Sequence, residues 1–348
     1  MTRLAMRRLI LKTLLSLPAP ALRLMSGGPV IYLGGRTLDP RLQFLTAQAR
    51  GQAPLHTLTP EEGRRAAASF FALTTAATNP SVSSEALTIE GPAGPIPARA
   101  YRPETQDSAT PLMIFAHMGG GVVGDLEASH AFCALLADIT RGPVLSVDYR
   151  LAPEHRFPAG LEDVLAAYRW GRENAERFGA PAAEAAIGGE FMGANFAAAI
   201  CQMLRRAGEP QPALQLLIYP WVEAASESAS MTTYEHAFPL GRADMDWFLG
   251  HYLGPRDKPA DTRLSPLREP DLAGLAPAIV ITAGFDPLLD QGEAYARRLR
   301  EAATPVVYRC YDSLAHGFTA LTGVVPAADI ACREIAGLTR EGLDGRIA

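Results

Sequence analysis

Gly189-Glu190-Phe191-Met192-Gly193 has the spacing of a G-x-S-x-G elbow, a sharp strand-to-helix turn whose flanking glycines let it close. Such an elbow presents a side chain for nucleophilic attack. Here the central residue is Phe191, which neither attacks a carbonyl nor gives up a proton. Besides a nucleophile, acyl transfer needs a base held in one tautomer and donors aimed at the developing oxyanion. Candidates for both are present. Asp286 and His316 each sit just beyond an apolar run, and His117-Met118-Gly119-Gly120-Gly121 forms a glycine loop after another. The backbone N–H groups of Gly119, Gly120 and Met192 are suited to an oxyanion. Only the nucleophile fails.

The elements that must position these groups follow from pattern. Ala185-Ala186-Ile187-Gly188 reads as the end of a strand before the elbow, and the residues from Asn195 as the helix after it. Short apolar runs at 112–116 and 144–147 suit buried strands. Further strands are expected at 95–102, 214–219, 278–282 and 306–311, with helices over 128–140, 160–177, 195–207 and 291–302. Alternation of this kind implies an α/β protein with a mostly parallel central sheet and helices on both faces. Functional residues then gather at the carboxyl edge of the strands. The first 85 residues or so are helix-like, with Thr59 as N-cap before Pro60. Residues 224–262 break the rhythm with an aromatic helix over 242–252.

Four motifs occur in a telling order: the His117 loop, then Asp148-Tyr149-Arg150-Leu151-Ala152-Pro153-Glu154-His155, then the elbow, then Asp286-Pro287-Leu288-Leu289-Asp290 with His316-Gly317-Phe318. This order resembles the bacterial hormone-sensitive-lipase-like carboxylesterases of the α/β-hydrolase fold. The likeness covers most of residues 85 to 320, and the string from Tyr149 to His155 is its most specific piece. The resemblance implies that His316 is the general base, oriented by Asp286, in the fold's order of nucleophile, acid and histidine. Asp290 is a second candidate acid that fits the motif less well. It implies that His117 shapes the glycine loop; separately, a repurposed pocket is expected to hold an aromatic or apolar substrate against Met118, Phe191 and Trp221. The resemblance also implies N-terminal cap helices over 1–55, hydrolase core over 56–223, a helical cap insertion over 224–262, and core again over 263–348. Asp148, Arg150 and Glu154 are expected as a buried polar network supporting the loop.

Three departures from the family pattern cluster in the site. Phe191 replaces serine, Glu190 stands where Asp is usual, and Met118 replaces the first glycine of the loop. Met118 keeps its N–H, which is misplaced if that position needs glycine-only dihedrals. Phe191 is expected in a strained elbow conformation costing about 1–3 kcal/mol. The clustering points to a reshaped pocket, natural or engineered. Loss of a nucleophile lowers turnover by roughly 10⁶, so ester hydrolysis is expected to be weak or absent. Two alternatives accompany this reading. One is base-catalysed proton abstraction by His316, or by Glu190 if desolvation raises its pKa into the useful range. The other is a small-molecule binding protein on a hydrolase fold.

Composition narrows the remaining classes. A chain of 348 residues with 48% hydrophobic and 20% charged residues buries a sizeable core. A net charge of −5 without a long basic run argues against a nucleic-acid partner. No apolar stretch reaches the roughly 20 residues that cross a bilayer. Cys133, Cys201, Cys310 and Cys332 lack metal-type or C-x-x-C spacing and are expected as buried thiols in a reducing compartment, the cytoplasm. Arg3, Arg7 and Arg8 before Leu9-Ile10-Leu11 partly match a secretion signal, but Lys12 interrupts the apolar stretch and no clear cleavage site follows. The expected form is an amphipathic helix packed on the main body; export and a membrane-surface role are the lesser readings. No metal or organic cofactor is implied. The expected partner is a small apolar or aromatic ester-like molecule, and a homodimer is compatible with the sequence.

Overall fold

The computed structural model describes residues 3–225 and 227–347. Before the main sheet come α1 (Arg3–Leu15), α2 (Ala19–Met25), a hairpin of β1 (Tyr32–Leu33) and β2 (Arg36–Thr37), α3 (Pro40–Ala49) and α4 (Pro60–Thr74). The start of α4 is set by local chemistry. Pro60 has no N–H to leave unsatisfied, while Thr59 and Glu62 cap each other reciprocally.

The sheet itself contains β3 (Val82–Gly91), β4 (Gly94–Pro103), β5 (Leu112–Ala116), β6 (Val144–Val147), β7 (Ala185–Glu190), β8 (Gln215–Ile218), β9 (Ala278–Phe285) and β10 (Val306–Ala315). Their spatial order is β3-β4-β6-β5-β7-β8-β9-β10. β4 pairs antiparallel with β3 and β6, and all other pairs are parallel. Every residue of β5 through β9 is buried, as an unbroken apolar run requires when helices cover both faces. On one face α5 (His130–Thr140) packs on α11 (Pro326–Leu343). On the other, α6 (Ala159–Glu173) meets α7 (Met192–Ala207), and α10 (Leu289–Glu301) lies against β9. β9 and β10 run a few residues past their expected ends, so Asp286 and His316 are the first residues after their strands.

The elbow forces a close backbone approach in the core. A Cβ on Gly193 would sit 2.0 Å from the Ala116 carbonyl oxygen, and one on Gly189 would lie 2.4 Å from the Gly193 backbone. Backbone cannot retreat as a side chain does. Gly193→Ala should therefore cost about 3 kcal/mol, the upper part of the usual overpacking range, read as a lowered urea midpoint.

The segment over 224–262 carries α8 (Ala229–Thr233) and α9 (Arg242–Tyr252). It joins the N-terminal region directly: Trp247 donates to the Leu58 carbonyl at 3.0 Å, and His56 Nδ1 lies 3.0 Å from Asp244. α4 falls within the 56–223 stretch expected as core, yet it contributes no strand. Its Arg64 instead donates to the carbonyls of Val122 at 2.9 Å and Ala152 at 2.8 Å, and pairs with Glu154. α4 thus fastens two site loops from outside.

Two expectations need correction. Asp148, Arg150 and Glu154 do not form one buried network. Arg150 makes a bidentate pair with Asp163 at 2.7 and 2.8 Å, Glu154 meets Arg64 near the surface, and Asp148 comes only within 3.8 Å of His117 Nε2. Side chains of a tight turn diverge, so each finds its own partner. The N-terminal helix also packs less than an amphipathic helix should. Leu11, Leu14 and Leu15 face the body, but Leu4, Met6, Leu9 and Ile10 remain exposed. Of the four free thiols, three are buried and Cys310 is half-buried.

Candidate active site

Phe191 adopts φ 55° and ψ −109°, a conformation non-glycine residues rarely hold. The strained elbow expected from the sequence is therefore present with Phe in it. Its N–H donates to the Ile218 carbonyl at 3.0 Å, and its carbonyl accepts the first helical bond from Asn195 N–H at 3.1 Å. Because Phe191 itself caps the helix, α7 begins at Met192, three residues before the expected start. The Asn195 side chain secures the turn from behind by donating to the Trp221 and Leu264 carbonyls, both at 2.6 Å.

The Phe191 ring is only 2% exposed. It stacks on Trp221 at 5.7 Å and meets the edge of Phe248 at 5.4 Å. It also stands edge-on to the His316 imidazole, with ring centres 4.7 Å apart. His316 Nδ1 lies 2.8 Å from Asp286 Oδ2, and Asp286 Oδ1 accepts the Leu288 N–H at 2.8 Å. The carboxylate takes Nδ1–H, which leaves Nε2 as the nitrogen able to receive a proton. Asp290, the other candidate acid, is turned elsewhere and accepts the Ser230 N–H at 2.7 Å.

Gly119, Gly120 and Gly121 all have positive φ, and the loop is closed to side chains. A Cβ on Gly119 would meet the Val123 carbonyl oxygen at 1.9 Å, and one on Gly120 the Phe248 ring at 2.3 Å. Met118 differs: it is outside the positive-φ set, so its substitution for glycine brings no backbone strain. Its sulfur reaches towards Gly317, beside His316. Among the described residues, the N–H groups of Gly119, Gly120 and Met192 donate to no protein acceptor.

His117 is fully buried beneath this loop. Its Nδ1–H donates to the Met118 carbonyl at 2.7 Å, its ring stacks on Tyr149 at 4.2 Å, and the Tyr149 hydroxyl donates to its carbonyl at 2.9 Å. Burial pushes its pKa down to about 4, so it stays a neutral brace.

Glu190 is not brought into this group. It is fully buried, and its Oε2 accepts the Ser129 hydroxyl at 2.6 Å. It neighbours Cys133 of α5 and Cys332 of α11 in the helical layer. Tyr219 and Thr319 lie nearby, but their hydroxyls bond each other at 2.5 Å, so Ser129 is the firm partner. Burial raises the Glu190 pKa to about 7, opposed by these hydroxyls.

That shift has a stability consequence. Between the ordinary pKa of 4.5 and about 7, the folded chain holds a proton that the unfolded chain has lost. The contribution of Glu190 is therefore complete below 4.5 and is lost as pH rises through 7. Glu190→Gln keeps an acceptor for Ser129 and cannot ionise. The variant should match the parent near pH 4.5 and exceed it by on the order of 3 kcal/mol above pH 7. Paired urea melts at pH 4.5 and 8 measure the difference, and equal stabilities at both values would refute it.

Sequence reasoning missed Tyr219, Ser129 and Phe248. Tyr219 packs its ring 4.6 Å from His316 and has φ 37°. Its Tyr-Pro step after a strand carried no chemical signal. Phe248 lies in the aromatic helix over 242–252, whose ring content was the available clue.

Taken together, sheet topology and site geometry are those of an α/β hydrolase. Residues 113–320 match the α/β-hydrolase fold family. The carboxylic ester hydrolase LipN of Mycobacterium tuberculosis (strain ATCC 25618 / H37Rv) is 42% identical over 315 residues, covering 88% of this chain and 84% of LipN. The ethyl acetate hydrolase of Pseudomonas putida is 34% identical over 281 residues, covering 79% and 88%. Among solved structures, the ester-hydrolase EH1AB1 from the metagenome of Lake Arreo superposes with a TM-score of 0.83 at 41% identity, covering 87% of this chain and 98% of that one. The chain belongs to the hormone-sensitive-lipase-like carboxylesterase family.

Proposed function

We propose that this chain is a carboxylesterase-family scaffold with weak or absent ester hydrolysis, because Phe191 occupies the nucleophile position. The observation that carries this reading is the Phe191 ring, seated at the elbow and edge-on to His316 at 4.7 Å. A serine hydroxyl there would hand its proton to Nε2. The ring has no proton to give, and it fills the space that a water would need to attack in its place. His316 and Asp286 keep the roles of base and orienting acid, and Gly119, Gly120 and Met192 those of oxyanion donors. The ligand class is a small apolar or aromatic ester-like molecule held against Met118, Phe191 and Trp221.

The test is hydrolysis of a short-chain aryl ester by this chain beside its Phe191→Ser variant. Turnover confined to the variant supports the reading. Turnover by the unaltered chain at ordinary esterase rates overturns it.

The intact 2.8 Å His316–Asp286 pair favours a second reading, proton abstraction from a bound acid by His316. Glu190 is a poor base for this purpose because its carboxyl faces the α5–α11 layer. A rate that follows a single ionisation and disappears in His316→Ala would support this alternative. Saturable binding of an aromatic ligand without turnover would leave the scaffold as a binding protein.

A further inference from the structure

The large apolar side chains left exposed among the described residues are concentrated at one end of the chain. Leu4, Met6, Leu9, Ile10, Leu24, Met25, Val30, Tyr32 and Leu33 are all exposed, and among the described residues only Ile330 joins them from elsewhere as a large exposed hydrophobic side chain. Exposed apolar residues scattered singly need no explanation, but a concentration does. Leu9 and Ile10 are 53% and 52% exposed.

The helical pattern of α1 arranges them. At 3.6 residues per turn, Leu9, Thr13, Met6 and Ile10 fall within an arc of about 100°. Lys12 borders that arc on one side and Arg3 on the other, and the exposed Arg7 lies a further 40° or so round (about 40°), beyond Leu14. Leu11, Leu14 and Leu15 lie on the remaining side, against the body. Two bonds hold the helix in this orientation: Arg8 donates to the Thr75 carbonyl, and Arg41 Nε donates to the Leu15 carbonyl at 2.9 Å. The outward stripe is therefore fixed by the fold. Arg3, Arg7 and Lys12 form no ion pair among the described residues.

Charge is partitioned in the same way. Residues 1–50 contain eight Lys and Arg against one Asp, net +7, whereas the rest of the chain holds 24 against 36, net −12. An apolar stripe flanked by cations is the pattern of a helix lying in a bilayer interface, apolar residues in the acyl boundary and cations at anionic headgroups. A second copy of this chain would bring the same cations against themselves.

We infer that the outward face of α1, carrying Met6, Leu9 and Ile10 between Lys12 and Arg3 with Arg7, docks the protein on an anionic phospholipid bilayer surface. The docked helix lies parallel to the surface. No helix of the described residues is long and apolar enough to cross a membrane.

The full chain should be sedimented with vesicles of phosphatidylcholine alone and of phosphatidylcholine with about 30 mol% phosphatidylglycerol, at low and high salt. Binding to the anionic vesicles should be at least tenfold tighter and should weaken with salt. Arg3→Gln with Arg7→Gln and Lys12→Gln should erase the anionic preference. Met6→Gln with Leu9→Gln and Ile10→Gln should lose binding to both vesicles. All six side chains are exposed, so both variants should melt like the parent, and a melting scan checks this. Equal or absent binding of the parent to the two vesicles overturns the inference. So does a dilution-dependent dimer whose dissociation, and not vesicle binding, responds to the apolar variant.

Discussion

Phe191→Ser should raise hydrolysis of a short-chain aryl ester by at least about 10³-fold, out of the roughly 10⁶ that a nucleophile is worth in turnover. The elbow already holds φ 55° and ψ −109°, so a serine there inherits the geometry without a backbone rearrangement. His316 stands beside that position with Nδ1 on Asp286. The gain should vanish when His316→Ala is added. The substitution also removes a fully packed ring, and losses on the order of 3–5 kcal/mol accompany such deletions in cores. Rates should therefore be read below the melting transition of the variant. A folded Phe191→Ser protein with no gain would mean that Met118 beside Gly317 blocks the acyl group.

In that restored background, Asp286→Asn should lower turnover by about 10⁴, as expected when a triad acid is replaced by its amide. The reason lies in the two bonds of Asp286. One oxygen accepts the Leu288 N–H, and the other accepts from His316 Nδ1. Asn keeps its carbonyl on Leu288 and turns its NH₂ towards Nδ1. The imidazole must then accept at Nδ1 and carry its proton on Nε2, where it cannot take one from serine. Binding of substrate should change little, so the loss belongs in kcat and not in KM. A loss confined to KM would place Asp286 outside the reacting group.

Much of this arrangement was legible in the sequence because apolar runs ended in chemically distinctive residues. The runs before His117, the elbow and Asp286 are buried strands that need no alternation, so they stand out even without a partner sequence, and the half-exposed edge strand β10 still ends in the buried Leu314 and Ala315 before His316. The Thr59–Glu62 cap was equally local. What stayed hidden depended on direction. Nothing in Asp148-Tyr149-Arg150 says that Arg150 turns towards Asp163, or that Glu154 meets a helix 90 residues earlier. Nor does the elbow spacing say that Glu190 faces Ser129 while its neighbour faces the pocket. Met118 was ambiguous for a related reason: a glycine loop does not reveal which of its positions requires positive φ, and here the requirement falls on Gly119, Gly120 and Gly121.

The retained elbow also sets a genetic distance. Backbone strain at Phe191 survives in a position where it activates no nucleophile, so the conformation is imposed by Gly189, Gly193 and Asn195 and not by the residue that occupies it. Every phenylalanine codon becomes a serine codon by a single change at its second base. On the proposed reading, the scaffold is therefore one point mutation from a serine at the elbow, and laboratory selection for ester hydrolysis should recover that change before any other.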